Sequence, residues 1–163
     1  MKLAFDDLQK TIELHRQFLS GKAGGQRAKL KDADLFGVNL AGANLKNANL
    51  EGVTLKRADL VHVNLEGANL ERANFKRAIL ECASLNQACL KAACLKGVNL
   101  ARADLRGANL SDADLEDADL SGAVYDDKTI WPESFHPASA GAIWAGDDQR
   151  EARRWPATDV EET

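Results

Sequence analysis

Residues 98–117 read Val-Asn-Leu-Ala-Arg, Ala-Asp-Leu-Arg-Gly, Ala-Asn-Leu-Ser-Asp and Ala-Asp-Leu-Glu-Asp, which are four units of five residues with the same central Leu. The same spacing continues without an insertion through all of residues 28–127. The central residue is Leu throughout, except where Phe75 and Tyr125 replace it, and a small Ala or Val stands two positions before it. A fixed period of five therefore decides the architecture of this part of the chain.

Neither an α-helix nor a straight strand accounts for a period of five. On a helix, every fifth residue is rotated by about 140°, so the Leu side chains would scatter around the circumference. On a straight strand, every fifth residue alternates between opposite faces, although the Ala and Leu of one unit are two apart and share a face. Both spacings are satisfied when each unit is a short strand-like segment followed by a corner. Four such units close one coil, and residues 28–127 make about five coils in which residue n lies beside residue n+20.

Units such as Ala-Asn-Leu-Lys-Asn (43–47) and Ala-Asp-Leu-Arg-Gly (103–107) resemble the A(D/N)LXX pattern of the pentapeptide repeat proteins. The resemblance implies an all-β solenoid, a right-handed quadrilateral β-helix, and the hand of the coil comes from the resemblance alone. The Gly-Gly-x-Arg-Ala-x-Leu run at 24–30 is similar to a bacterial, cyanobacterial-like type of the family that carries an N-terminal capping helix.

Residues 1–27 are predicted to form this capping helix and the loop that leads into the repeats. Asp6 or Asp7 is the expected N-cap, and Ser20-Gly21 is the expected stop. An open solenoid end exposes its core and unpaired backbone groups, so we expect the helix to cover that end and His15 to pack there. The apolar side of the helix follows a spacing of three and four: Phe5, Leu8, Ile12, His15 and Leu19.

The five-residue register stops after Tyr125. Residues 128–146 contain two Pro and three large aromatic residues, which predicts a segment that plugs the lower end of the rod or, alternatively, forms a dimer contact. We favour the plug and a monomer. Residues 147–163 are polar and aperiodic, and they are expected to form a disordered tail.

One group of outward side chains is a candidate binding surface. Because residue n lies beside n+20, five cations are predicted to stack on one wall without an acid at the same positions. Like charges opposite each other are unfavourable, and a binding partner would offset that repulsion. The functional hypothesis is a face for an anion or an acidic partner; the alternative is a solvated face screened by acids on neighbouring walls. This basic stack consists of Lys56, Arg57, Lys76, Arg77 and Lys96.

Other polar groups carry less chemistry. The acids of the last coil form an acidic collar, but their side chains are expected to point outward from different walls and not to converge on a metal. The collar consists of Asp112, Asp114, Glu116, Asp117, Asp119, Asp126 and Asp127. His62 and Cys82 stack at twenty residues, yet nothing supplies a pocket or a third catalytic group. Cys89 and Cys94 match no zinc spacing, and three clustered cysteines favour reduced thiols. No cofactor, metal site or enzymatic activity is expected.

The favoured function is a non-enzymatic scaffold that binds an unidentified protein. The alternative is a DNA mimic directed at DNA gyrase, as in family members that give quinolone resistance. A mimic of about 24 Å needs roughly 14 negative charges, whereas residues 28–127 carry 15 acids and 12 bases. The chain has a net charge of −4, no long apolar run and no basic N-terminal leader. We therefore expect a cytoplasmic protein that binds neither nucleic acid nor membrane directly.

Overall fold

The computed structural model describes residues 4–146. Its regular elements lie at the two ends of the chain: helix α1 (Phe5–Leu19), strand β1 (Val124–Tyr125), a 3-10 helix (Ala138–Ala140) and strand β2 (Ile143–Trp144), which pairs with β1 in parallel. The predictions for residues 1–3 and for the tail at 147–163 lie outside the described residues.

Between α1 and β1 the chain is a stack of coils held by isolated parallel bridges. Each bridge joins residues twenty apart, from Lys29 with Asn49 to Asp104 with Val124. Leu50 N–H, for example, donates to the carbonyl of Asn69 at 2.8 Å. The predicted pairing of residue n with n+20 is confirmed. The strand-like segments are shorter than expected, since a single residue of each unit is bridged and turns take up most of the rest.

Every unit of the rod except the last ends in the same tight turn. The N–H of each small residue from Ala33 to Ala123 donates back to the central residue of the preceding unit, as Ala68 does to the Leu65 carbonyl at 3.0 Å. The residue before the small one has a φ between 55° and 70° at all nineteen of these corners, as the third residue of a type II turn requires. The spacing predicted a corner in each unit but not its backbone conformation. Twelve non-Gly residues of the rod adopt this left-handed conformation.

The Asn or Asp before each central Leu has a local role that explains why it recurs. Its side-chain oxygen accepts the N–H two residues further on, as between Asn69 and Glu71 (3.1 Å) or Asn99 and Ala101 (2.9 Å). These short polar residues satisfy a corner N–H that has no partner in the neighbouring coil, and this outweighs their low strand propensity. One whole coil has other residues at this position: Ile79, Ser84, Cys89 and Cys94.

The core is a column of inward Leu side chains with Phe75 at its centre, and all twenty central residues are buried. The smaller inward residues are buried in the middle coils but only half-buried in part of the first coil, at Ala33, Val38 and Ala43. Helix α1 therefore leaves part of that end of the rod uncovered.

Helix α1 starts earlier than predicted. Ala4 is its N-cap and makes no side-chain capping hydrogen bond, so the prediction that Asp6 or Asp7 is the N-cap was wrong. Both carboxylates lie in the first turn, where they interact favourably with the positive end of the helix dipole. The predicted stop is confirmed, because the helix ends at Leu19 with Ser20 as its C-cap.

His15 joins α1 to the first coil. Its ring is fully buried, Nδ1 accepts the backbone N–H of Ala28 at 3.0 Å, and Nε2 lies 3.0 Å from the carbonyl of Lys46. A nitrogen that accepts carries no proton, so the imidazole is neutral and donates through Nε2. The interpretation of His15 as a packing residue is confirmed, and the two hydrogen bonds define how it packs.

The C-terminal segment continues the stack out of register. Ile130 pairs with Asn109, a separation of twenty-one residues, and Ile143 pairs with Val124, a separation of nineteen. Trp131 and Trp144 pack edge-on against the Tyr125 ring, with centroids 5.6 and 5.4 Å away. The segment thus packs against the last coil; whether it also forms a dimer contact stays a prediction.

Candidate interaction face

The wall built on Leu35, Leu55, Phe75, Leu95 and Leu115 carries the predicted basic stack. Bridges from Thr54 to Asn74 and from Asn74 to Cys94 place its members in successive coils. The backbone N–H of Arg57 donates to the Lys76 carbonyl at 3.1 Å, so these cations lie in adjacent coils of one wall.

Lys96 differs from the other four members. Its ammonium group is hydrogen-bonded to the Glu116 carboxylate and lies 3.5 Å from Asp114 Oδ2. The hydrogen bond to Glu116, with the charges of Asp114 and Glu116, raises the pKa of Lys96. Lys96 is therefore neutralised within the chain and contributes little to an outward positive charge.

The remaining four cations form no ion pair within residues 4–146. We call them the cationic face: Lys56, Arg57, Lys76 and Arg77. On the two neighbouring walls, Glu51 pairs with Lys31 and Arg72, and Glu81 pairs with Arg102. Asp59 on the Leu60 wall forms no ion pair within residues 4–146, so these pairs weaken the alternative of screening by neighbouring acids without removing it.

An exposed aromatic residue completes this surface. Phe36 is 55% exposed, occupies the position twenty residues before Lys56, and lines with the cationic face an open groove of about 470 Å³. Phe36 was not predicted from the sequence, because only charged residues were considered as members of this surface. The arithmetic of n and n+20 was sufficient to find it.

The two arginines also hold an unfavourable backbone conformation. Arg57 and Arg77 have φ of 56° and 59°. A left-handed conformation costs a residue with a Cβ roughly 1–2 kcal/mol, and Gly avoids most of this. Within the described residues no ion pair offsets that cost or the repulsion between the four charges.

The other candidate groups remain separate. Within residues 4–146, no three His, Cys, Asp or Glu side chains are placed to hold a metal ion. In the acidic collar, Asp126 accepts the N–H groups of Gly107 (2.9 Å) and Lys128 (3.1 Å), which gives it a structural role. Cys82 is a half-buried free thiol, and His62 is exposed one coil away.

The repeat, the twenty-residue pairing and the buried Leu column agree with the result of family comparison. The family model for pentapeptide repeats matches residues 28–67, 58–97 and 90–122. The chain belongs to the pentapeptide repeat family. The recognition made from the A(D/N)LXX units is confirmed.

Solved structures of pentapeptide repeat proteins are similar to this chain. Rfr23 from the cyanobacterium Cyanothece 51142 is 30% identical, with 75% of this chain and 99% of Rfr23 covered and a TM-score of 0.57. HetL from Nostoc, a protein involved in heterocyst differentiation regulation, is 39% identical over 64% of this chain and half of its own length (50%), with a TM-score of 0.50. A protein of the Arabidopsis thaliana thylakoid lumen is 27% identical, covers 60% of this chain and 68% of its own, and has a TM-score of 0.58.

None of the curated proteins matches the chain. The part of the chain that the structure describes has no helix with the length and apolar character needed to cross a bilayer.

Proposed function

We propose that this protein is a non-enzymatic scaffold, a right-handed four-sided rod of five coils that binds a protein partner through its cationic face. The observation that carries the proposal is the set of four bases that form no ion pair within residues 4–146, next to the exposed ring of Phe36. Stacked repeats give a rigid wall, so these side chains are presented at fixed spacing. An acidic partner would remove the repulsion among them.

The charge distribution disfavours the DNA-mimic alternative. Residues 28–127 carry 15 acids against 12 bases, far from the roughly 14 net negative charges that a DNA segment of this length requires. The ion pairs add to this argument. They pair Glu51, Glu66 and Glu81 with bases, whereas the four bases of the cationic face have no acidic partner within residues 4–146.

A non-enzymatic role is supported by the shape of the walls. Side chains outside the core diverge from the rod, and the groove at the cationic face is open to solvent. Catalysis by acids, bases or nucleophiles needs convergent groups and some exclusion of water. We further propose that the protein acts in the cytoplasm as a monomer, and light scattering coupled to size-exclusion chromatography tests the monomer directly.

Site-specific photo-crosslinking in cells of the source organism tests the scaffold. A photoreactive phenylalanine at Phe36 places the probe at the cationic face, and the same probe at the exposed Ala41 of the next wall is the matched control. We expect discrete protein adducts from position 36, lost when Lys56→Glu and Arg57→Glu are added, and none from position 41. Equal labelling from both positions, insensitive to the charge reversal, would show that this wall is not the binding surface.

A further inference from the structure

We infer that the segment bound at the cationic face is a short, extended acidic peptide segment of the partner protein with an apolar residue at the end nearest α1. This inference rests on the proposed function and adds the chemistry of the partner. It is carried by the arrangement along one wall of Phe36 and the four cations that form no ion pair within residues 4–146.

The length of the surface sets the length of the segment. Phe36, Lys56 and Lys76 occupy equivalent positions of three successive coils, with Arg57 and Arg77 in the adjacent column. Stacked coils lie about 4.8 Å apart, so this surface is roughly 10 Å from first to last coil and somewhat longer with its side chains. An extended chain rises about 3.3 Å per residue, and therefore about four or five residues cover it.

The surface also has a direction. Beyond Lys96 the same wall becomes acidic, with Asp114, Glu116 and Asp117 in the last coil. An acidic segment is repelled from that end and attracted to the two central coils. At the other end Phe36 offers an apolar ring, and the neighbouring Asp34, whose Oδ1 accepts the Phe36 N–H at 3.1 Å, keeps its negative charge and also disfavours an acid there. The apolar residue of the segment therefore lies toward α1 and its acids toward Lys76.

A second copy of this chain fits the surface poorly. In an antiparallel contact, placing Glu116 of one copy against Lys56 of the other also places Lys76 against Lys96. The contact would set cation against cation and draw Glu116 away from the Lys96 that it already binds. The cationic face is best matched by consecutive acids with no cation among them. A segment of a partner protein can supply these, whereas the acidic collar of a second copy brings Lys96 with it.

Fluorescence anisotropy with labelled peptides and the full-length protein tests the inference. The probes are a peptide of one Leu followed by four Glu, the same peptide with Gly for Leu, and the first peptide with Gln for every Glu. We expect the Leu-Glu peptide to bind more tightly than the Gly peptide by about fivefold and binding to weaken with salt. The Gln peptide should not bind detectably. The double substitution Lys76→Glu and Arg77→Glu should lower the affinity for the Leu-Glu peptide by at least about tenfold.

The decisive variant is Phe36→Ser, which lies on the surface and leaves the rod core intact. In this variant the Leu-Glu peptide and the Gly peptide should bind with about the same affinity, and the affinity for the Gly peptide should be unchanged. Equal weakening of both peptides, or none, overturns the inference of an apolar anchor but leaves acidic binding, and with it the proposed function, in place. Preferred binding of a short DNA duplex or of vesicles containing anionic lipid, competed by no peptide, overturns the inference as well. The proposed function is tested separately by the crosslinking experiment. It is wrong if crosslinking from position 36 does not depend on the charges of Lys56 and Arg57.

Discussion

The docking of α1 should depend on pH through His15. This side chain is fully buried, and it accepts the Ala28 N–H at Nδ1 while Nε2–H donates to the Lys46 carbonyl. Burial, with a smaller contribution from the charge of Arg27, lowers the pKa of His15 below its ordinary value of 6.5, although the bond to Lys46 acts in the opposite direction. A proton added to Nδ1 would point at the Ala28 N–H. Nδ1 would then be a donor facing a donor, and the hydrogen bond to Ala28 would be lost.

The direction of the pH effect follows from proton binding. Below pH 6.5 the exposed His15 of an undocked helix binds a proton, whereas the docked histidine, with its lower pKa, stays neutral. Acid therefore favours the undocked state. Above pH 6.5 both states are neutral, and the stabilisation of α1 docking is complete. It falls by about 1.4 kcal/mol for each pH unit below 6.5, until the pH reaches the lowered pKa of the docked histidine.

Two optical signals separate the ends of the rod in a urea titration. Helix α1 is the α-helix of the described region and dominates the ellipticity at 222 nm there, whereas all three Trp lie on the C-terminal side of the repeats. We expect the midpoint at 222 nm to fall between pH 7.5 and pH 5.5 while the fluorescence midpoint changes much less. Coils couple only to their neighbours, which permits the ends to unfold separately.

Two substitutions make the test specific. His15→Leu removes the titrating group and leaves two buried backbone groups unpaired, which should destabilise α1 docking by about 2–5 kcal/mol and remove the pH dependence. His62→Asn is the control, because His62 is exposed on the rod and Asn tolerates its φ of 55°. The reasoning is refuted if the 222 nm midpoint is the same at both pH values, or if His15→Leu retains the wild-type pH dependence.

Three further predictions concern the rod and its surface. Arg77→Gly should raise the free energy of unfolding by about 0.5–1 kcal/mol in urea denaturation, because the strain removed from the left-handed backbone exceeds the entropy that Gly adds to the unfolded chain. Gly97→Ala should lower the free energy of unfolding by about 1 kcal/mol, although the added Cβ, 3.6 Å from Arg77 Cγ, has room. Ala68→Leu in the core should cost about 1–3 kcal/mol, whereas Ala41→Leu on the surface should change the midpoint little; equal effects would contradict the inward assignment. In a gyrase supercoiling assay neither the wild-type protein nor the variant with Lys76→Glu and Arg77→Glu should inhibit, and inhibition strengthened by the acidic substitutions would restore the DNA-mimic hypothesis.

The residue types and their spacing were enough to predict which side chains are buried in the rod. A Leu at every fifth position with Ala or Val two residues before it defines the buried column, and the structure buries Leu50 and Ala68 as the spacing requires. The same regularity predicted the pairing of n with n+20, and thereby the coil-by-coil order of Lys56 and Lys76. These predictions hold because a repeat without insertions has a single register in which all of its apolar residues share one axis.

The ends and the surface required more than periodicity. The N-cap of α1 was predicted wrongly because the prediction relied on capping side chains, whereas Ala4 is the N-cap and makes no side-chain hydrogen bond. The sequence also placed Lys96 in the basic stack, whereas the structure pairs Lys96 with Glu116 and Asp114. Lys96 and Glu116 belong to coils related by n and n+20, but whether their flexible side chains meet depends on rotamers and competing partners.

By itself, then, the sequence determined the family, the coil and the identity of the core, because these follow from a spacing that every unit repeats. The tertiary structure decided which charges of residues 4–146 remain without a partner and how His15 bonds to the first coil. Each of these depends on contacts made once, between side chains and backbone groups far apart in the chain. A repeat pattern specifies what all units have in common, and the candidate binding surface arises where individual units differ.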